Sequence, residues 1–225
     1  NKKVVVIGSG PNRIGQGIEF DYCCVHGVES LKENNYEAIM INSNPETVST
    51  DYDTADKLYF EPLSWDEVKA VLAREKPDSV IIQLGGQTPL KLADKISSAG
   101  YKIAGSSLDV IDATEDRDLF QKLCLSLNID QPKSKISFNE DELISAVKEI
   151  TYPVLLRPSY VLGGRAMRVV KNDDELKNYL SILATADDDG NPFSSGPLLI
   201  DQFLTETIEI DVDLISDGKD VFIAG

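Results

Sequence analysis

Over the first 105 residues, short β-branched runs alternate with helical patterns, and this alternation narrows the choice of fold more than any other feature. Lys3 to Ile7, Ala38 to Asn42, Ser79 to Leu84 and Lys102 to Ala104 read as strands, each bounded by turn residues. Between them, Trp65, Val68, Val71 and Leu72 mark one helix face, and Leu90, Ala93 and Ile96 mark another. Strands separated by helices form βαβ units, whose crossovers cover both faces of a parallel sheet. The expectation is an α/β domain with a doubly wound, mostly parallel sheet.

After Gly105 the pattern changes, which argues for a second, α+β domain. A helix carrying Leu119, Phe120, Leu123 and Leu127 precedes a short strand, a helix with Leu143, Ile144 and Val147, and a strand-rich remainder. Val154 to Leu156 and Met167 to Val170 read as a hairpin around a glycine turn, and Leu198 to Phe203 and Ile208 to Ile215 as two more strands. In the last of these, Glu209, Asp211 and Asp213 alternate with apolar residues and would share one face. Asp187 to Gly196, acidic and then rich in Gly, Pro and Ser, reads as a surface loop. The boundary is placed between residues 116 and 117, giving domains over 1–116 and 117–225.

Composition closes off several functions. The net charge of −16 opposes binding to nucleic acid and leaves any anion site to be built locally. No apolar run approaches the roughly 20 residues of a membrane span. Asn1 to Lys3 lead straight into a strand without a signal-peptide pattern, so a cytoplasmic location is expected. Cys23, Cys24 and Cys124 show neither metal-ligand spacing nor an even disulfide set and read as reduced core residues. The lone His26 reads as structural. The chain starts without Met and closes on Val221-Phe222-Ile223-Ala224-Gly225, a strand still in progress, so both ends read as internal to a longer protein.

A glycine-rich loop from Gly8 to Gly17 follows the first strand and opens a helix, where backbone N–H groups favour an anion. The dinucleotide fingerprint needs a third glycine where Arg13 stands, and an acid after the second strand where Asn42-Ser43-Asn44 stands. The P-loop needs Lys and then Ser or Thr where Gln16 and Gly17 stand. Both fingerprints fail, and on its own the loop supports only a tight strand-to-helix turn.

The wider wording is more specific. GSGPNRIGQGIEFDYCCVH from Gly8, NPETVSTDYDTADKLYFEP from Asn44 and GGQTPLKLA from Gly85 closely resemble the carbamoyl phosphate synthase large-subunit family. So does RPSYVLGGRAM from Arg157. That family repeats its synthetase unit twice, and the wording is similar to the second, carbamate-phosphorylating copy. The resemblance implies a Rossmann-like pre-ATP-grasp domain followed by the N-terminal part of an ATP-grasp domain. It implies ATP as the nucleotide, with Mg²⁺ held by ligands in a later part of the fold, so that this segment alone would be inactive. The implied reaction is carbamate plus ATP giving carbamoyl phosphate, for arginine and pyrimidine biosynthesis. The implied partners are the remainder of the large subunit and a glutaminase small subunit or domain.

Carried over residue by residue, the resemblance assigns Arg157 and Arg117 to the ATP phosphates and Gly163 and Gly164 to a lid. It assigns Gln202 to Leu204 to the adenine edge and Glu209 to the ribose hydroxyls. Glu19 and Glu46, at the carboxyl edge of the first sheet, match residues of a carbamate passage. Two other readings share many of these features: another ATP-grasp ligase, such as a biotin carboxylase or a purine-pathway enzyme, and a non-catalytic nucleotide-binding module. RPSYVLGGRAM and NPETVSTDYD weigh against the first of them.

Overall fold

The computed structural model describes residues 1–12, 18–158, 167–185, 190–194 and 196–225, without the side chain of Asp118. They form two compact units, Asn1–Ile129 and Asp130–Gly225.

The first unit runs β1 (Lys3–Ile7), α1 (Glu19–Glu33), β2 (Glu37–Ile41), β3 (Lys57–Tyr59), α2 (Trp65–Glu75) and β4 (Ser79–Ile81). It continues with α3 (Gln87–Leu90), α4 (Ala93–Ser98), β5 (Ile103–Ala104), α5 (Leu108–Glu115) and α6 (Arg117–Ser126). The sheet order is β3-β2-β1-β4-β5 with every pairing parallel. One face packs Val5, Ile7, Ile39 and Ile41 against Val68, Val71 and Leu72 of α2 and Ile96 of α4. The other packs Val6 and Met40 against Cys24 and Val28 of α1. Burial on both faces explains why these strands read as unbroken apolar runs. The doubly wound expectation holds.

The strand expected over Ser79 to Leu84 ends at Ile81, with a 3-10 turn at Gln83–Gly85, β3 was not expected, and three further details differ from the sequence reading. The stretch around Leu90 and Ile96 is two short helices, with Pro89 inside the first. Cys23 is exposed while Cys24 and Cys124 are buried, so it is no core residue: it follows Tyr22 on the outward side of α1. The expected apolar face of α6 is open, with Leu119, Phe120, Leu123 and Leu127 all at least 40% exposed.

At the amino edge of this sheet the carboxylate of Glu75, at the end of α2, is buried among donors. Lys57 Nζ lies 2.8 Å from it and Lys3 Nζ 3.1 Å, and the Tyr59 hydroxyl donates to its other oxygen. Hydrogen bonds from Lys57 and Tyr59 hold its pKa down to about 2, from an ordinary value of 4.5. The stability this gives is complete above the ordinary range and is lost as pH falls toward the folded value. Glu75→Gln should therefore cost about 1–3 kcal/mol near neutral pH by urea unfolding, with a deficit that shrinks in acid. A deficit that stays constant between neutral and acid pH would contradict the ionised assignment.

The second unit runs β6 (Ser134–Ser137), α7 (Glu140–Ile150), β7 (Val154–Pro158), β8 (Arg168–Val170), α8 (Asp173–Thr185), β9 (Leu198–Gln202), β10 (Leu214–Ser216) and β11 (Val221–Ile223). One antiparallel sheet has the order β6-β9-β7-β8, and β10-β11 form a separate hairpin. Val154, Leu156, Leu198 and Ile200 face Leu143, Val147 and Ile150 of α7 and Leu176 and Tyr179 of α8. Both helices begin alike. Asn139 Oδ1 accepts from Glu142 N, whose carboxylate accepts from Phe138 N, and Asn172, Glu175 and Lys171 repeat the arrangement.

Two expectations fail here. The strand-rich remainder contains α8, a helix of 13 residues. The strand expected over Ile208 to Ile215 begins only at Leu214. Leu214 pairs with Ile223 of β11, and Asp213 exchanges hydrogen bonds with Ala224 and Gly225. Residues 208–213 are exposed on both sides, and the face that Glu209, Asp211 and Asp213 were to share does not form.

Candidate functional site

In a doubly wound sheet the ends of the strands where the order reverses make a crevice at the carboxyl edge. Here that point lies between β1 and β4. β1 runs into Gly8, Ser9 and Gly10, all buried, and Gly8 N donates to Ile41 O at 2.8 Å while Gly10 N donates to Asn42 Oδ1 at 3.0 Å. These two amides are engaged within the fold, which is the tight-turn reading of the loop. Arg13, Gly15, Gln16 and Gly17 lie outside the described residues. A cavity of about 480 Å³ opens beside the loop, lined by Ser9, Gly10, Asn12, Ser43, Ser64 and Thr88 among others.

Glu19 is the first residue of α1 and Glu46 sits in the turn after β2, both exposed. The turn around Glu46 is closed on itself. Glu46 N donates to Asn44 Oδ1 at 3.2 Å, and the Thr50 hydroxyl lies 2.8 Å from the carbonyl oxygens of Asn44 and Thr47. One helical turn inward from Glu19, burial, then the carboxylate of Asp21 and Cys23, push the Cys24 thiol up to about 12. It stays protonated and unreactive at neutral pH. His26 pairs with Glu29 at 2.9 Å on the outer side of α1 and stacks edge-on with Tyr22.

Arg117 opens α6, exposed, directly after Asp116, whose side chain caps the helix by accepting from Leu119 N at 2.9 Å.

In the second unit, Arg157 lies near the end of β7 on the face turned away from α7 and α8, since Leu156 beside it points into their core. Its Nε donates to Asp201 Oδ2 at 2.8 Å. Asp201 also accepts from the Ser134 hydroxyl at 2.6 Å, so one carboxylate joins β6, β9 and β7. The Arg157 side chain is 36% exposed, which leaves it reachable while the contact with Asp201 fixes its orientation. Asp201 is a partner of Arg157 that the sequence reading missed. Gln202 is partly spoken for: its N donates to Lys133 O at 2.7 Å and its Oε1 accepts from Lys133 N at 3.2 Å. Leu204 is exposed, and Phe203 N donates to Pro153 O at 3.0 Å. Glu209 lies exposed in the irregular stretch before β10 and touches none of these residues within hydrogen-bonding reach among those described. Gly163 and Gly164 lie outside the described residues.

Among the described residues no cluster of three or more acidic, His or Cys side chains could hold a metal ion. Among the described residues, too, no helix is long and apolar enough to cross a membrane.

Comparison with known proteins adds four findings. A carbamoyl phosphate synthase large chain, C-terminal section, from Aquifex aeolicus is 56% identical over 99% of this chain, which spans 40% of that protein. The carbamoyl phosphate synthase large chain of Neisseria meningitidis serogroup B is 53% identical over all of it, and the chain spans 20% of that one. In structure, a biotin carboxylase in complex with β-γ-ATP, from Campylobacter jejuni, shares the fold with a TM-score of 0.67 at 17% identity, over 99% of this chain and 50% of that one. The model for the carbamoyl phosphate synthase preATP-grasp domain matches residues 1–113 and that for the carbamoyl-phosphate synthase L chain, ATP binding domain, matches 116–224, and the chain belongs to the carbamoyl phosphate synthase large-chain family.

Proposed function

We propose that this chain is part of the second half of a carbamoyl phosphate synthase large chain and supplies one side of the site where ATP phosphorylates carbamate. Its similarity to a C-terminal section of such a chain supports the second half. The single observation that carries the nucleotide role is Arg157, a reachable guanidinium locked by Asp201 within the segment matched by an ATP binding domain.

In the proposed reaction a carbamate oxygen attacks the γ-phosphorus, a P–O bond forms, and the bond to the β–γ bridging oxygen breaks to release ADP. Charge spreads over the transferred group, and catalysis is positioning plus electrostatic stabilisation. Arg157 would place fixed N–H donors against the phosphates, and Arg117 would add a second cation in the completed site. Mg²⁺ would neutralise the phosphate oxygens from ligands outside this chain, with Glu209 at the ribose and Gly163 and Gly164 in the lid. Glu19 and Glu46 would line the route by which carbamate arrives from the other half. The ATP-grasp portion is taken to start at Arg117, the partners to be the remainder of the large subunit and a glutaminase subunit, and the compartment to be the cytoplasm. Product would enter arginine and pyrimidine synthesis.

Calorimetric titration of ATP and ADP into the chain, with and without Mg²⁺, tests the nucleotide role. Binding is expected to the parent and to be lost in Arg157→Ala, with no turnover by either. Equal affinity in parent and variant would remove Arg157 from the site, and ATP turnover at the rate of a whole synthase would overturn the division of the site between this chain and the rest.

A further inference from the structure

At the carboxyl edge of the first sheet, three segments distant in sequence are tied together through the side chain of Asn42, which is fully buried. Its Oδ1 accepts from Gly10 N at 3.0 Å and from Ser43 N at 2.9 Å, and its Nδ2 donates to Ser49 Oγ at 2.9 Å. Ser49, also fully buried, donates its own backbone N–H to Asp21 Oδ2 at 3.2 Å. The chain of contacts therefore runs from the glycine loop through the end of β2 to the turn that follows Glu46, and on to the first turn of α1, which Glu19 begins. Gly8 accommodates it: a Cβ there would lie 2.5 Å from the Asn42 side chain.

The residue types fit the task. The position needs an acceptor with two lone pairs and a donor on one planar head, which an amide supplies and a carboxylate does not. Ser49 offers both its hydroxyl and its amide, so it is held from two sides. A buried network of this kind fixes one geometry, because each partner lost leaves another polar group unsatisfied.

We propose that Asn42 is a positioning residue that, with Ser49 and Asp21, sets the placement of the Glu46 turn against the Glu19 end of α1. The inference rests on the passage role proposed above for those two glutamates. A shift of the turn by an ångström or so would open the wall of the route and let carbamate escape to water before it is phosphorylated, while Arg157 and Asp201, which belong to the second unit, keep their contact.

The test uses the whole synthase and follows two quantities: carbamoyl phosphate formed per ATP hydrolysed, and ATP formed from ADP and carbamoyl phosphate, which needs only the second phosphorylation site. Ser49→Ala removes the acceptor for Asn42 and keeps the amide for Asp21; Asn42→Ala removes the whole junction; Ser49→Thr keeps a hydroxyl. The yield per ATP is expected to fall about tenfold in the two alanine variants, since misplacements of an ångström carry effects up to about 100-fold. ATP formation should stay at the parent rate, and Ser49→Thr should recover the yield. An unchanged yield in folded Ser49→Ala, or a fall of yield, ATP formation and melting temperature in parallel, would overturn the positioning role. Glu19→Gln and Glu46→Gln separate the two ideas. If they lower the yield and Ser49→Ala does not, only the inference about Asn42 fails; if they leave it unchanged, the passage reading fails and takes this inference with it.

Discussion

Arg157→Ala in the whole synthase should lower ATP-dependent formation of carbamoyl phosphate by about 100- to 1000-fold, the usual cost of removing one fixed donor from developing charge. The side chain is partly exposed and packs into no core, so the melting temperature should move little. Lysine should not restore the rate. It offers a mobile point charge in place of a planar fork, and it cannot reproduce the Nε contact with Asp201 that fixes the plane. Asp201→Asn keeps the shape but weakens the charge-assisted bond, and its loss should be smaller than that of Arg157→Ala. Steady-state rates of the three variants beside their melting temperatures check this. A full rate in Arg157→Ala would mean that the ion pair is only a strand-to-strand tie.

Gly85→Ala should be strongly destabilising. Gly85 is buried where the chain leaves β4, and a Cβ there would lie 2.5 Å from the carbonyl oxygen of Ile7 and 2.7 Å from the carbonyl carbon of Gly8. These are backbone atoms at the end of the central strand and cannot swing aside. Either β1 or the turn at Gln83–Gly85 must move, at a cost of about 3 kcal/mol. Because Gly8 leads into Gly10, whose amide donates to Asn42, the yield per ATP should fall with it. Urea unfolding reads the first effect; a loss below about 0.5 kcal/mol, the level of an ordinary surface change, would show that the crevice is looser than its contacts indicate.

Much of the first sheet was legible because burial on both faces leaves a plain sequence record. Val4 to Ile7 and Ala38 to Ile41 are unbroken apolar runs, and all are buried. β3 left no such record: its three residues are only partly buried and owe their extended form to pairing with β2. α8 could have been found. Leu176, Tyr179, Leu180 and Leu183 follow helical spacing, and Asn172 to Glu175 repeats the cap signal of Asn139 to Glu142. The opposite error arose at Ile208 to Ile215, where the sequence alternates but the ladder with β11 covers only Leu214 to Ser216.

The site was legible as residue types and illegible as contacts. Arg157 stood out through its motif, whereas Asp201, 44 positions later, becomes its partner only because β9 pairs with β7 in a register that puts Asp201 opposite Leu155, diagonal to Arg157. Asn42 was visible as the residue that breaks the dinucleotide pattern. That it joins Gly10 to Ser49 depends on tertiary approach, which no spacing in the sequence records.

Arg157 is proposed to serve the nucleotide site of the carbamate-phosphorylating half. The most direct measurement is ATP formation from ADP and carbamoyl phosphate by the whole synthase, parent against Arg157→Ala, alongside the ATP hydrolysis that accompanies carbamate formation in the other half. ATP formation should be lost in the variant while that hydrolysis continues. Loss of the hydrolysis with ATP formation intact would mean that Arg157 serves the other half instead.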